Sequence, residues 1–411
     1  MGLNKIEFQK VAGGLGRVAP SEDHISGLIF VDTNASASEI KKTIALSSVE
    51  DLENAFVSEG ESVFSDYGTY LRDKKKDPNI DAVAATAEHA VHYHVKEFFR
   101  MNPTGRLYFG IRESLDSAVI VNFQKSTGGK LRQLGIYDAS LSVSNSQALN
   151  VASLQAAANE LENVEFSPLS ILVGAKVTLA EGIQLNTLMD NTGGKNISVL
   201  IGESTSELVQ KITEEVSFVG CVGTALGAVS KSSVHENIGW VQKFNLGSEF
   251  ANPALTDGRK VSGISKGALD SLNDKRYIFV IKHVGDAGSY FNDSHVADRI
   301  TSDFAYIESN RTIDKAVRNV RASLLPQLNA PLTVDPSTGG LAADTIKFFE
   351  NLAGSPLQRM TNSNELSGYQ VGINPDQDVL ATSRLEIVLK LVPIGVAREI
   401  QVKIGFAAKL S

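Results

Sequence analysis

Apolar positions recur at both helical and strand periods along this chain, and the clearest pattern lies in residues 301–408. Ile313, Val317, Val320 and Leu324 fall on one face of a helix, with Asp314, Lys315, Arg318 and Arg321 on the others. Pro326, Pro331 and Pro336 then break the helical run. A shorter helix is predicted over 342–352, followed by a polar, Gly- and Asn-rich passage leading to residues 369–373. Two strands come last. In the first, Leu385, Ile387, Leu389 and Leu391 alternate with Glu386, Val388, Lys390 and Val392. In the second, Ile400, Val402, Ile404 and Phe406 alternate with Gln401, Lys403 and Gly405.

Upstream, residues 25–32 read as a short apolar strand. Ser48, with Asp51 three residues on, predicts a capped helix that carries Leu52 and Phe56 on one face and stops near Gly60. A helix over 82–99 places Val83, Ala87, Val91, Val95 and Phe98 at helical spacing and leads into a strand at 106–111. Strands are expected at 119–123 and, after a Gly128-Gly129 turn, at 131–137. An Ala-rich helix follows over 151–161, then buried-type strands at 170–174 and 197–202. This alternation argues for an α/β domain, with polar passages 60–80 and 181–196 as surface loops or small insertions. Residues 222–228 are small and apolar, and Trp240, the single tryptophan, is expected to anchor packing. The first 20 residues look like an arm: Leu3, Ile6 and Phe8 are isolated among polar residues and glycines follow.

Composition narrows the function. At 411 residues the chain has room for two or three domains, and 42% hydrophobic with 21% charged content argues against disorder. A net charge of −8 disfavours a nucleic-acid partner. No apolar run approaches the ~20 residues of a membrane helix, so no membrane insertion is expected. The one cysteine, Cys221, lies in an apolar run and is expected to be a buried, inert thiol. His89, His92 and His94 lie on one helix, but His92 and His94 point about 200° apart and no HExxH spacing exists, so no metal is expected. Gly14 and Gly16 lack the third glycine of a dinucleotide loop. Residues 126–130 and 192–195 lack the flanks of a phosphate loop, and no Gly-x-Ser-x-Gly elbow occurs. The expectation is a non-enzyme with no catalytic residues, cofactor or metal.

The order long helix, proline loop, short helix, Tyr369-Gln370-Val371, Asn374-Pro375-Asp376, then Leu391-Val392-Pro393 and a final strand resembles the C-terminal domain of tail sheath proteins from contractile phages and related injection systems. The capped helix at Ser48, the apolar helix before residues 106–111, and the small-residue helix followed by Ile238-Gly239-Trp240 are also similar to that family, in its compact Mu-like branch. The resemblance implies a multi-domain α/β and α+β fold with extended terminal arms that exchange strands between subunits. It implies a sheath of stacked rings that contracts to drive an inner tube through a cell envelope. The implied partners are the chain itself, the tube protein, a baseplate and a tail terminator, in a virion tail or injection particle assembled in a bacterial cytoplasm. The expected division is an arm over 1–20, an outer body over 21–285 and a polymerising domain over 286–411.

Ile6 and Phe8 alternate with Glu7 and Gln9, as a half-buried strand does. Together with Ile400, Val402, Ile404 and Phe406 they are the candidate exchange residues. Extended, residues 1–15 span roughly 50 Å, more than twice the ~22 Å radius of gyration of a compact chain this long. Pairing of both ends within one chain is the competing arrangement. Lys347 and Glu350, at i,i+3, are the tube-facing candidates. The rival functions are a nucleotide-using α/β enzyme and a type VI secretion sheath component.

Overall fold

The structure is a computed structural model that describes residues 22–33, 42–58, 60–81, 83–143, 149–177, 185–190 and 193–406. Its centre is a six-stranded sheet. In chain order the strands are β1 (Ile25–Val31), β2 (Thr43–Leu46), β3 (Arg106–Arg112), β4 (Gln133–Tyr137), β5 (Ser170–Gly174) and β6 (Ile197–Leu200). They are arranged β2-β3-β1-β4-β5-β6, with every pair parallel except β2 with β3. β1 is buried on both faces, as a central parallel strand must be. Ile25 and Ile29 point to one side, Leu28 and Phe30 to the other.

Helices cover both faces. Those that bear on the sheet are α1 (Val49–Ala55), α2 (Ala87–Met101), α3 (Ser117–Ser126), α4 (Val151–Asn163) and α5 (Val222–Lys231). α3 and α4 share a core with Ile25 and Ile29, while α1, α2 and α5 share one with Leu28 and Phe30. α1 begins as its sequence dictates: Asp51 N–H donates to Ser48 Oγ, and the Asp51 carboxylate accepts from Ser48 N–H at 3.1 Å. α2 and α5 pack unusually close. A Cβ at Gly223 would fall 2.1 Å from the carbonyl oxygen of His94, and one at Gly227 would fall 2.7 Å from that of Phe98. The small-residue run of α5 therefore lets two backbones touch.

Several sequence expectations are corrected here. Residues 119–123 are helical, inside α3, not a strand. β3 and β4 both run parallel to β1 on opposite sides of it, so they need a crossover, and Asp116 caps its helix by accepting from Val119 N–H at 2.8 Å. The second helix starts at Ala87 rather than 82, leaving Val83 outside it and exposed. The passage at 60–80 holds a helix, Tyr67–Lys76, capped by Asp66. Trp240 is 46% exposed; the buried anchors beside it are Ile238 and Phe244.

The C-terminal part packs two long helices, α6 (Ile307–Leu324) and α7 (Ala343–Asn362), against a hairpin of β7 (Gly368–Gly372) and β8 (Val388–Val392). α7 runs ten residues beyond the predicted end at 352, straight through Pro356. A proline inside a helix costs about 3 kcal/mol, and burial of Ala353, Pro356, Leu357 and Met360 along the same face offsets that cost.

Candidate assembly surface

α6 joins the two halves of the molecule, and it does so with its polar face. Of the stripe predicted to be buried, Val317 is 52% exposed and only Val320 is fully in the core. The buried residues instead include Glu308, Asn310, Arg311, Thr312, Asp314 and Lys315. Glu308, Asn310, Arg311 and Lys315 find partners that come from far away in sequence. Lys315 Nζ reaches Asp23 Oδ2 at 2.7 Å and Glu365 Oε1 at 2.5 Å, and Arg318 reaches Asp23 Oδ1 at 2.9 Å. Arg311 donates to Ser232 Oγ at 2.7 Å, and burial lowers its guanidinium to about 10. Asp314 lines a small recess with Asp23, Arg132, Arg311 and Arg318, and burial pushes its carboxyl up to about 7. Asn310 Nδ2 donates to the carbonyls of Lys195, Phe304 and Tyr306. This clamp fixes α6, and with it α7 and the hairpin, to the body.

The hairpin has one covered face. Leu385, Ile387, Leu389 and Leu391 are half-buried, while Glu386, Val388, Lys390 and Val392 are exposed, the alternation written in the sequence. Tyr369, Val371, Leu389 and Leu391 pack on Ala316, Val320, Ala353, Leu357 and Met360. Tyr369 OH donates to Gln358 Oε1, and Asn374 closes an Asx turn by accepting from Asp376 N–H. Among the described residues the sheet has two strands, so each strand keeps an unpaired edge.

The second predicted strand, residues 400–406, is not formed among the described residues. Those residues are extended without a ladder partner among the described residues. Their apolar side chains reach outward: Ile400 is 80% exposed, Val402 76%, Ile404 96% and Phe406 111%. A strand needs a neighbour for its backbone groups, and this one has none among the described residues. Ile6 and Phe8 lie outside the described residues. Lys347 and Glu350 sit on the outer side of α7, paired at 2.7 Å, with Lys347 74% exposed and Phe348 exposed beside them.

The chemistry-bearing residues are otherwise committed to structure. His89 Nδ1 accepts from Thr86 N–H, His92 bonds Glu53 at 2.7 Å, and His94 Nδ1 accepts from Gly223 N–H at 3.2 Å, so the three rings face three different partners. Among the described residues no three His, Cys, Asp or Glu groups gather as metal ligands. Cys221 is buried, and burial pushes its thiol up to about 12. Gly128 and Gly129 both adopt positive φ in the turn that ends α3. The sequence pattern missed Arg311, Asp314 and Lys315 as buried residues because a charged position reads as solvated unless its partner is already known.

Two family models match. One described as the DUF2586 N-terminal domain covers residues 3–295, and one described as the DUF2586 C-terminal domain covers residues 303–411. A comparison with curated proteins finds no match. Among solved structures, the chain is similar to the extracellular contractile injection system PVC sheath complex in the contracted state, with a TM-score of 0.60, 10% identity, and 99% of this chain and 98% of that chain covered. It is similar to the anti-feeding prophage baseplate in the contracted state, with a TM-score of 0.57, 11% identity and 98% of each chain covered. It is similar to the sheath tail protein from Listeria innocua, with a TM-score of 0.50, 9% identity, and 90% of this chain and 95% of that chain covered. The mixed α/β, multi-domain architecture is shared with these structures.

Proposed function

From the premise that the chain belongs to the DUF2586 family and has a tail-sheath fold, we propose that it is the structural subunit of a contractile sheath. Subunits polymerise as stacked rings around an inner tube, and contraction drives that tube through a target envelope. The observation that carries this reading is the tail. Four apolar side chains at strand period stand in solvent, and a two-stranded sheet in the same chain has open edges among the described residues. Strand addition between subunits satisfies both, since the incoming backbone fills the edge and its apolar face is covered.

The partners in this reading are other copies of the chain, the tube protein, a baseplate and a terminator, in a tail or injection particle. Residues 21–285 form the outer body and residues 286–411 the polymerising unit. Phe291, Val296 and Ile307 pack into the body core, so the junction is held by the body as well as linked to it. The N-terminal arm supplies the second exchanged strand, and the outer side of α7 at Lys347 and Glu350 faces the tube. Catalysis has no part in the proposal: the buried titratable groups described above serve as clamps or as core.

Negative-stain microscopy of the purified chain tests this directly. Cylinders or rings are the expected result, and deletion of residues 2–15 should leave a folded monomer that forms neither. A full-length chain that stays a compact monomer, with a melting temperature raised by nucleotide, would overturn the proposal in favour of an enzyme.

A further inference from the structure

Beyond β8 the chain does not leave the subunit at once. Residues 393–398 return to the body, where Arg398 enters a recess walled by Asp293, Tyr306 and Glu308. Its Nε donates to Asp293 Oδ2 at 2.9 Å, its Nη2 donates to Glu308 Oε1, and its guanidinium lies over the Tyr306 ring, 3.4 Å from the centroid. The recess is built for this. Asp293 and Glu308 are both buried. Asp293 Oδ1 accepts from Asn237 Nδ2 at 2.5 Å and from Ser294 N–H at 2.8 Å, and Ser294 Oγ donates to Glu308 Oε2. Arg276, itself buried, also lies on Tyr306, 4.6 Å from the centroid.

We propose that this recess is a guanidinium socket, and that Arg398 in it roots the C-terminal tail at a fixed point on its own subunit. Two buried carboxylates close together demand a cation that can serve both. A planar fork that also stacks on an aromatic ring fits, and a lysine ammonium does not reproduce it. The root sets the reach of the tail. From Glu399 to Phe406 an extended chain spans at most about 26 Å, whereas a tail rooted only at Val392 would reach about 46 Å. The socket thus restricts which neighbour the tail can meet, and its release adds six residues of slack. That consequence for assembly rests on the sheath reading; the socket itself does not.

The test is a distance measurement on monomers. Spin labels at Ala397→Cys and Asn79→Cys, both exposed positions, report where the tail begins relative to the body, with buried Cys221 unlabelled. The native socket should give one narrow distribution, and Arg398→Ala should make it roughly twice as broad. Arg398→Ala also strands two buried carboxylates and lowers the melting temperature. The triple variant Asp293→Asn, Glu308→Gln, Arg398→Ala should recover the melting temperature while its distribution stays broad. Distributions as narrow in the Arg398 variants as in the native chain would overturn the socket. Polymers from the native chain but not from the triple variant would support its role in assembly. A native chain that never polymerises, with the contrast in width intact, would refute the sheath reading and leave the socket standing.

Discussion

Replacing Ile404 and Phe406 together by threonine separates folding from assembly. Both side chains are essentially fully exposed and belong to none of the cores formed by the described residues. Exposed positions of this kind change stability by about 0.5 kcal/mol or less, so the urea midpoint of the monomer should not move. Threonine keeps strand propensity, which leaves the backbone term of strand addition in place. What the change removes is apolar burial in the polymer. An Ile or Phe side chain taken fully out of water contributes about 1.5–3 kcal/mol. Two such losses come to about 3–6 kcal/mol, and at about 1.4 kcal/mol per tenfold that weakens association by roughly 10²–10⁴. Sedimentation across a concentration series reads this as a rise in the critical concentration for polymer. Gln401→Ala with Lys403→Ala, on the opposite face of the same strand, is the control and should shift it far less. A rise of less than tenfold in the Ile404/Phe406 variant, or a fall in the monomer's urea midpoint, would refute the argument that this face is buried only between subunits.

Three further outcomes are expected. Gly223→Ala should destabilise the body by about 1–3 kcal/mol in urea titrations, because its Cβ meets the His94 carbonyl at 2.1 Å. Without that contact alanine would stabilise the helix by about 1 kcal/mol, so an unchanged or raised midpoint refutes the close packing. Asp314→Asn should flatten the pH dependence of stability. With the folded carboxyl held near 7 by burial, the folded state keeps a proton that the unfolded state releases from about pH 4 upward. Native stability therefore falls as pH rises between about 4 and 7. The variant should match the native chain near pH 4 and exceed it by about 1–3 kcal/mol at pH 8, and an unaltered slope across that window contradicts the burial argument. Lys347→Glu breaks a solvated pair with Glu350 and should cost less than about 1 kcal/mol. If the outer side of α7 meets the tube, the same variant loses tube-dependent assembly while still folding, and normal assembly removes that face from consideration.

The sequence by itself determined whatever depends on neighbours a few residues apart. The Ser48–Asp51 capping box, the alternation from Leu385 to Val392, and the small residues of α5 were all legible, and with them the mixed α/β architecture. The apolar face of the tail was legible too, as a period-2 pattern from Ile400 to Phe406. That the pattern has no ladder partner among the described residues was not, because an exposed strand and a buried one are written the same way. Tertiary structure alone decided that residues 119–123 are helical, since only the placement of β3 and β4 on either side of β1 demands a crossover there. It alone turned the charged face of α6 inward, where Lys315 and Arg318 meet Asp23 and Lys315 also meets Glu365. It alone brought Arg398 to Asp293 and Glu308, about a hundred residues upstream. Periodicity reports the surface a segment offers. Whether a charge on that surface is solvated or buried depends on a counter-charge arriving from elsewhere in the chain, and the energy that decides it does not exist until the two have met.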